Sequence, residues 1–227
     1  MLCGYAGSYF RQALTALLLA IAAFSTAAVP VITETEPNDN SGTATVLTLN
    51  VGRAMATGAI STPGDVDYFR FTAPAGARIW ALVDTGGTQA AGATSRDSVL
   101  DLLAADGTTI LESDDDDGVG NGGGVTIQSG NASIIAGTTL ASGGTYYLRV
   151  RAVNSSVTID PYRLMLVVTT GPARIETEPN NTSGSGEAIL SGARTTVVID
   201  GAIAPATSDQ DVFTFPLDAG DTVFFAA

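Results

Sequence analysis

Along much of the chain, apolar and polar residues alternate with a period of two. In DYFRFTA, Phe69 and Phe71 fall on one side and Tyr68 and Arg70 on the other, the pattern of a strand with one face on a core. TYYLRVRAV (residues 145–153) sets Tyr146, Leu148 and Val150 against Tyr147, Arg149 and Arg151. YRLMLVV (162–168) repeats the pattern with Tyr162, Leu164 and Leu166. VLDLLAADGTTIL predicts a hairpin that turns at Asp106-Gly107. Short strands, Gly-rich turns and no long amphipathic helix after the first thirty residues predict an all-β fold, an antiparallel jelly roll or β-sandwich.

The N-terminus follows a different rule. Arg11 precedes an apolar run, Ala13 to Phe24, and then STAAVP. A charged start, a short apolar stretch and small residues predict a secretory signal over residues 1–28. The run is short for a membrane span. Export to the extracellular space or cell surface of a bacterial type of cell is the expectation, with no membrane attachment after cleavage and residues 29–33 leading the mature chain. Cleavage would also remove Cys3, the single cysteine, leaving no thiol or disulfide.

Internal repetition organises the rest. Glu34, Glu36, Pro37 and Asn38 match Glu176, Glu178, Pro179 and Asn180. Gly58-Ala-Ile60 matches Gly201-Ala-Ile203, and Asp65, Asp67, Phe69 and Phe71 match Asp209, Asp211, Phe213 and Phe215, the offset moving only from 142 to 144 residues. Two units in tandem are expected: a full domain at 34–169, a Gly-Pro linker at 170–175, and the N-terminal half of a second domain at 176–227. Trp80 is expected in the core, because Phe224 takes its place in the repeat.

Charge then narrows the chemistry. The chain has no His and no Lys, and its formal charge is −13. Without Arg11 the balance is nine arginines against 23 carboxylates, or −14. So acidic a chain is unsuited to nucleic acid, which requires clustered Lys and Arg, and is suited to divalent cations.

Asp65 and Asp67 share strand parity with Phe69 and Phe71, which turns both carboxylates toward the core. A carboxylate there needs a neutralising partner; an arginine or a metal ion can supply it. Glu34, Glu36, Asn38 and Asp39 offer further hard oxygen donors. An oxygen-only set rich in carboxylates suits Ca²⁺, and the lack of imidazole and thiolate disfavours Zn²⁺. The plainer alternative is that EPND is a turn and Asp65 caps the loop entering its strand.

E-x-E-P-N-D, then G-D-x-D-Y-F-x-F, then D-x-x-L-x-L with DG and an Asp run, then G-T-Y-Y-L-R-V and P-Y-R-L together resemble the bacterial pre-peptidase C-terminal domain. The resemblance covers residues 34–169 as a full copy and 176–227 as an N-terminal half. It implies a jelly-roll β-sandwich accompanying secreted peptidases, akin to the calcium-binding collagen-binding domains of clostridial collagenases. It also implies calcium ligands at Glu34, Glu36, Asn38, Asp39, Asp65 and Asp67, and in the second copy at Glu176, Glu178, Asn180, Asn181, Asp209 and Asp211. There Asn181 replaces an acid, so weaker binding is expected.

Other signals yield less. LESDDDDGVGNGGG, aligned on Gly118 as an EF-hand loop, lacks the first and last ligands. Its G-x-G-x-x-G follows an acidic run with no helix after it, which repels a dinucleotide. A solvated loop is expected, with a second cation site at Asp97, Asp114, Asp115, Asp116 and Asp117 as the alternative. Tyr147, Arg149 and Arg151 form a candidate ligand face for an extracellular protein or polysaccharide polymer, or else an ordinary exposed strand. With no His, Lys or mature Cys, the usual nucleophilic arrangements are excluded, and catalysis is not expected. The reading is a secreted, calcium-stabilised module for adhesion or substrate targeting. The alternatives are a purely structural repeat without its own ligand, or a fragment of a secreted peptidase.

Overall fold

The computed structural model describes residues 29–86, 88–116, 133–189, 196–204, 209–217 and 219. The expected signal segment, Asp117, the Gly-rich stretch after it and Phe224 lie outside the described residues. No helix occurs among the described residues.

Two five-stranded sheets face each other. The first has the order β1 (Val31–Thr33), β3 (Arg53–Ile60), β10 (Ile159–Thr169), β5 (Arg78–Asp84), β8 (Ser133–Thr139). The second has the order β2 (Thr45–Val46), β4 (Val66–Ala73), β9 (Gly144–Ala152), β6 (Ser98–Leu103), β7 (Ile110–Asp114). Pairing is antiparallel except at one edge of each sheet, where β1 joins β3 and β2 joins β4 in parallel. Because β1 and β2 belong to different sheets, the intervening residues 34–44 cross the end of the sandwich. The Glu-x-Glu-Pro-Asn phrase lies on that crossing.

The core follows from the alternation. Phe69 and Phe71 on β4 and Leu148 and Val150 on β9 are buried against Ile79, Ala81 and Val83 on β5 and Leu164 and Leu166 on β10. Phe69 meets Tyr162 edge-on, centroids 6.5 Å apart. This is the alternation expected for β4, β9 and β10. The β6–β7 hairpin turns at Asp106-Gly107 as predicted: Asp106 Oδ1 accepts the Thr108 and Thr109 amides at 2.9 and 2.8 Å, and Gly107 takes φ 69°.

Two expectations are corrected. Trp80 is outside the core: on β5 the inward residues are Ile79, Ala81 and Val83, so Trp80 has the opposite parity and lies half-buried on the outer face. Asp65 precedes β4 rather than lying on it and is only half-buried, so of the two carboxylates Asp67 alone enters the core.

Beyond Thr169, β11 (Arg174–Ile175) pairs in parallel with β13 (Ile199–Asp200), and β12 (Glu187–Ala188) with β14 (Phe213–Thr214). These pairings reproduce locally what β1·β3 and β2·β4 do in the sandwich.

Candidate metal centre

Asp67 is fully buried at the start of β4. The Tyr162 hydroxyl on β10, in the opposite sheet, lies 2.5 Å from Asp67 Oδ2 and 3.1 Å from Glu34 Oε2. Glu34 Oε1 accepts the Ala59 amide at 2.7 Å. The Glu36 carboxylate folds back to accept the amide of Asn38 at 3.0 Å. One oxygen each of Glu34, Glu36 and Asp67 falls in a group spanning no more than 4.8 Å. Gly58 makes room for this cluster, because a Cβ there would collide with Glu34 Oε2 and the Tyr162 hydroxyl.

Burial first, and then the charge of Glu34, push the Asp67 carboxyl up to about 9; burial also raises Glu34. Without a cation the cluster therefore keeps a proton on Asp67 at neutral pH. That agrees with hydrogen-bond counting: the Tyr162 hydroxyl has one proton for two carboxyl neighbours, so one of those neighbours must itself carry a proton. A carboxyl protonated at neutral pH can act as a general acid where substrate reaches it. Asp67 has no exposed surface.

The Asn38 carboxamide completes the arrangement. It is fully buried, and one end of its amide lies 3.2 Å from Asp67 Oδ1 and 3.2 and 3.1 Å from the two Glu36 oxygens. With Nδ2 at that end the amide donates to the carboxylates. That orientation satisfies both ends of the amide, and what a cation would offset is the negative charge of the carboxylates gathered around it. The donor set is all oxygen and rich in carboxylate, which fits Ca²⁺.

Asp39 and Asp65 stand apart from this group. They form a second one with Glu36, toward solvent. Asp65 Oδ2 also accepts the Ser61 amide at 2.8 Å, so the expected loop cap is present as well.

In the repeated phrase beyond Thr169, Glu176, Glu178 and Asp211 form a matching group. Glu176 Oε1 accepts the Ala202 amide at 2.5 Å, as Glu34 accepts Ala59, and a Cβ on Gly201 would press on the Glu176 carboxylate at 2.7 Å. Asn180 is fully buried, and among the described residues its Oδ1 has no donor and the buried Asp211 Oδ1 has no partner. Burial and the Glu176 charge raise the Asp211 carboxyl. Asp209 Oδ2 accepts the Ala204 amide at 2.6 Å and so caps its own loop, whereas Asn181 Oδ1 accepts the amide of Gln210, 29 positions away, at 2.9 Å and joins two segments.

The other sequence candidates are engaged differently. Asp114 Oδ2 accepts the Ile134 amide at 2.6 Å and ties β7 to β8. Asp115 and Asp116 are exposed. Among the described residues, Asp97 and Asp114–116 bring no three carboxylates together. Tyr147, Arg149 and Arg151 do share the outer face of β9. Arg149 binds the fully buried Asp101 through Nε at 2.9 Å and Nη2 at 2.8 Å, and Arg151 Nε lies 3.6 Å from the same carboxylate. Ser113 Oγ donates to it at 2.5 Å. Much of the arginine charge on this face is thus neutralised from beneath. Asp101, Tyr162 and Gly58 are the site residues that sequence reasoning missed.

Residues 65–152 match the model of the bacterial pre-peptidase C-terminal domain. This stretch contains Asp65, Asp67 and the β9 arginines but neither the Glu34–Asn38 phrase nor Tyr162. Among solved structures, the chain is similar to the pre-peptidase C-terminal domain of Bacillus anthracis collagenase, with 16% identity over 63% of this chain and 98% of that one at a TM-score of 0.31. It is also similar to Aeromonas hydrophila PliG, a periplasmic inhibitor of g-type lysozyme, with 13% identity over 63% of this chain and 100% of that one at a TM-score of 0.39. Salmonella Typhimurium PliG gives 17% identity over 56% and 99%, at a TM-score of 0.34. No curated protein matches the chain significantly.

Proposed function

We propose that this chain is a non-catalytic, calcium-stabilised β-sandwich module of an exported protein, used for adhesion or substrate targeting beside a larger peptidase-like protein. The observation that carries the reading is shared by both units. Three carboxylates, Glu34, Glu36 and Asp67 or Glu176, Glu178 and Asp211, converge beside a buried asparagine, Asn38 or Asn180, and the Asn180 oxygen has no donor among the described residues. A bound cation supplies the missing positive charge. Glu34, Glu36, Asn38 and Asp67 would hold it in the first unit, with Asp39 and Asp65 beside Glu36. Glu176, Glu178, Asn180 and Asp211 would hold it in the second.

In this role the metal ties the crossing segment to both sheets, since Glu34 and Asn38 lie on that segment, Asp67 on β4, and Tyr162 contacts Glu34 and Asp67 from β10. Isothermal titration of the full chain with calcium, for the wild type, Asp67→Asn and Asp211→Asn, tests the assignment. Each variant should lose one class of site and keep the other. Equal binding by all three, or none by the wild type, contradicts it.

A second reading, a structural repeat without its own ligand, is favoured by the Asp101 ion pairs, which occupy the arginines of the candidate ligand face. Retention of the chain on insoluble protein or polysaccharide polymers, reduced by Tyr147→Ala, separates targeting from a purely structural role.

A further inference from the structure

The outer face of the β3–β10–β5–β8 part of the first sheet is unusually apolar for so acidic a chain. Met55, Trp80, Leu82, Met165 and Val167 point away from the core, half-buried or nearly buried but outside the core cluster. At the end where β10 leaves the sheet, two arginines flank them: Arg53 and Trp80 are the register partners of Val167, and Arg78 is the partner of Thr169. The Trp80 Nε1 and Arg53 Nε groups there are buried with no hydrogen-bond acceptor among the described residues. A buried N–H without an acceptor is uncommon. This end of the face therefore combines apolar area, positive charge and unused donors.

The chain places an acidic partner beside it. Only residues 170–173, including Gly171 and Pro172, separate β10 from β11, a reach of roughly 15 Å when extended. Asp200 on β13 already lies 3.7 Å from Arg78 Nη1. Residues 174–227 carry eight carboxylates and two arginines, a net charge of −6 by sequence. An exposed pair of this kind contributes little alone, but the short tether gives a high effective concentration.

We propose that the segment from Arg174 onward docks against the arginine-flanked end of this outer face, covering Trp80 and forming a unit-to-unit interface within one chain. The proposal goes beyond the calcium reading and holds whether or not metal binds.

Trp80 is the single tryptophan of the chain, which makes it a direct reporter. Acrylamide quenching and emission maximum are read for the full chain as wild type, Arg78→Glu, Asp200→Arg and the double reversal. Each single reversal should increase quenching and shift emission to the red, and the double reversal should restore both. High salt should act like a single reversal. Quenching that is the same in all four proteins, or a double reversal that fails to restore protection, overturns the proposal. Protection that grows with protein concentration also overturns it, because a second copy is then the occupant.

Discussion

The Tyr162 hydroxyl lies 2.5 Å from Oδ2 of Asp67, joining β10 of one sheet to β4 of the other at a fully buried carboxylate. Phenol and carboxyl are both shut off from water, and Tyr162 also reaches Glu34. The two sheets and the crossing segment thus share one polar junction. Removing the hydroxyl in Tyr162→Phe leaves the buried Asp67 and the half-buried Glu34 without that partner, at a cost of about 1–3 kcal/mol. Chemical denaturation in EGTA should register this as a lower midpoint with an unchanged slope. An unchanged midpoint contradicts the junction.

The junction also fixes a pH dependence. The Asp67 carboxyl is raised from 3.8 to about 9 in the folded, metal-free protein, so the folded state binds a proton that the unfolded state gives up. Stability from this group is fully present below pH 4 and is lost as pH rises toward 9. Urea unfolding in EGTA at several pH values should show this decline between pH 5 and 9. Saturating calcium, which takes the place of the proton, should flatten it. Metal-free stability that rises across this window contradicts the assignment.

Gly58 accounts for part of the repeated Gly-Ala-Ile phrase. Its missing Cβ leaves the space into which Glu34 and Tyr162 project. Gly58→Ala should overpack the junction and destabilise by about 1–3 kcal/mol, and it should weaken calcium binding along with stability. A variant as stable and as calcium-responsive as the wild type shows that the space is not needed.

On the opposite face of the second sheet, Asp101 is fully buried, while the side chains of Arg149 and Arg151 keep 24% and 36% exposure. Solvent screening of the arginines reduces the cost of breaking this network below the 3–5 kcal/mol of a fully buried pair, to about 2 kcal/mol for Asp101→Asn. Thermal melting checks it. If the melt is unchanged, the ion pairs contribute nothing to stability.

How much of this was legible in the sequence depended on how local the signal was. β4, β9 and β10 declare themselves by alternation, and the repeated Glu-x-Glu-Pro-Asn and Asp-x-Asp phrases pointed to Glu34, Glu36, Asn38 and Asp67. Tyr162 read only as an inward strand residue: its partner Asp67 is 95 positions away, and no second copy of Tyr162 occurs in the sequence to mark it. Asp101 is hidden inside the apolar run VLDLL, because β6 is buried on both faces and its polar member is neutralised by an arginine 48 positions along the chain. Trp80 was misplaced for a similar reason. RIWALV is apolar at both parities, and only its pairing with β10 decides which residues face inward. The Asp65 parity argument failed because the strand begins one residue later.

Thermal melting in EGTA, calcium and magnesium tests the central claim most directly. Binding to the folded state alone stabilises by about 2.7 kcal/mol at a hundredfold excess over Kd, which raises Tm by roughly 5–10 °C for a chain of this size. Calcium should produce that shift in the wild type. Magnesium should produce much less, since it demands tighter octahedral geometry and dehydrates reluctantly, and Asp67→Asn should lose most of the calcium response. A wild-type melt that millimolar calcium leaves unmoved contradicts the metal centre and reduces the repeated phrase to a repeated turn.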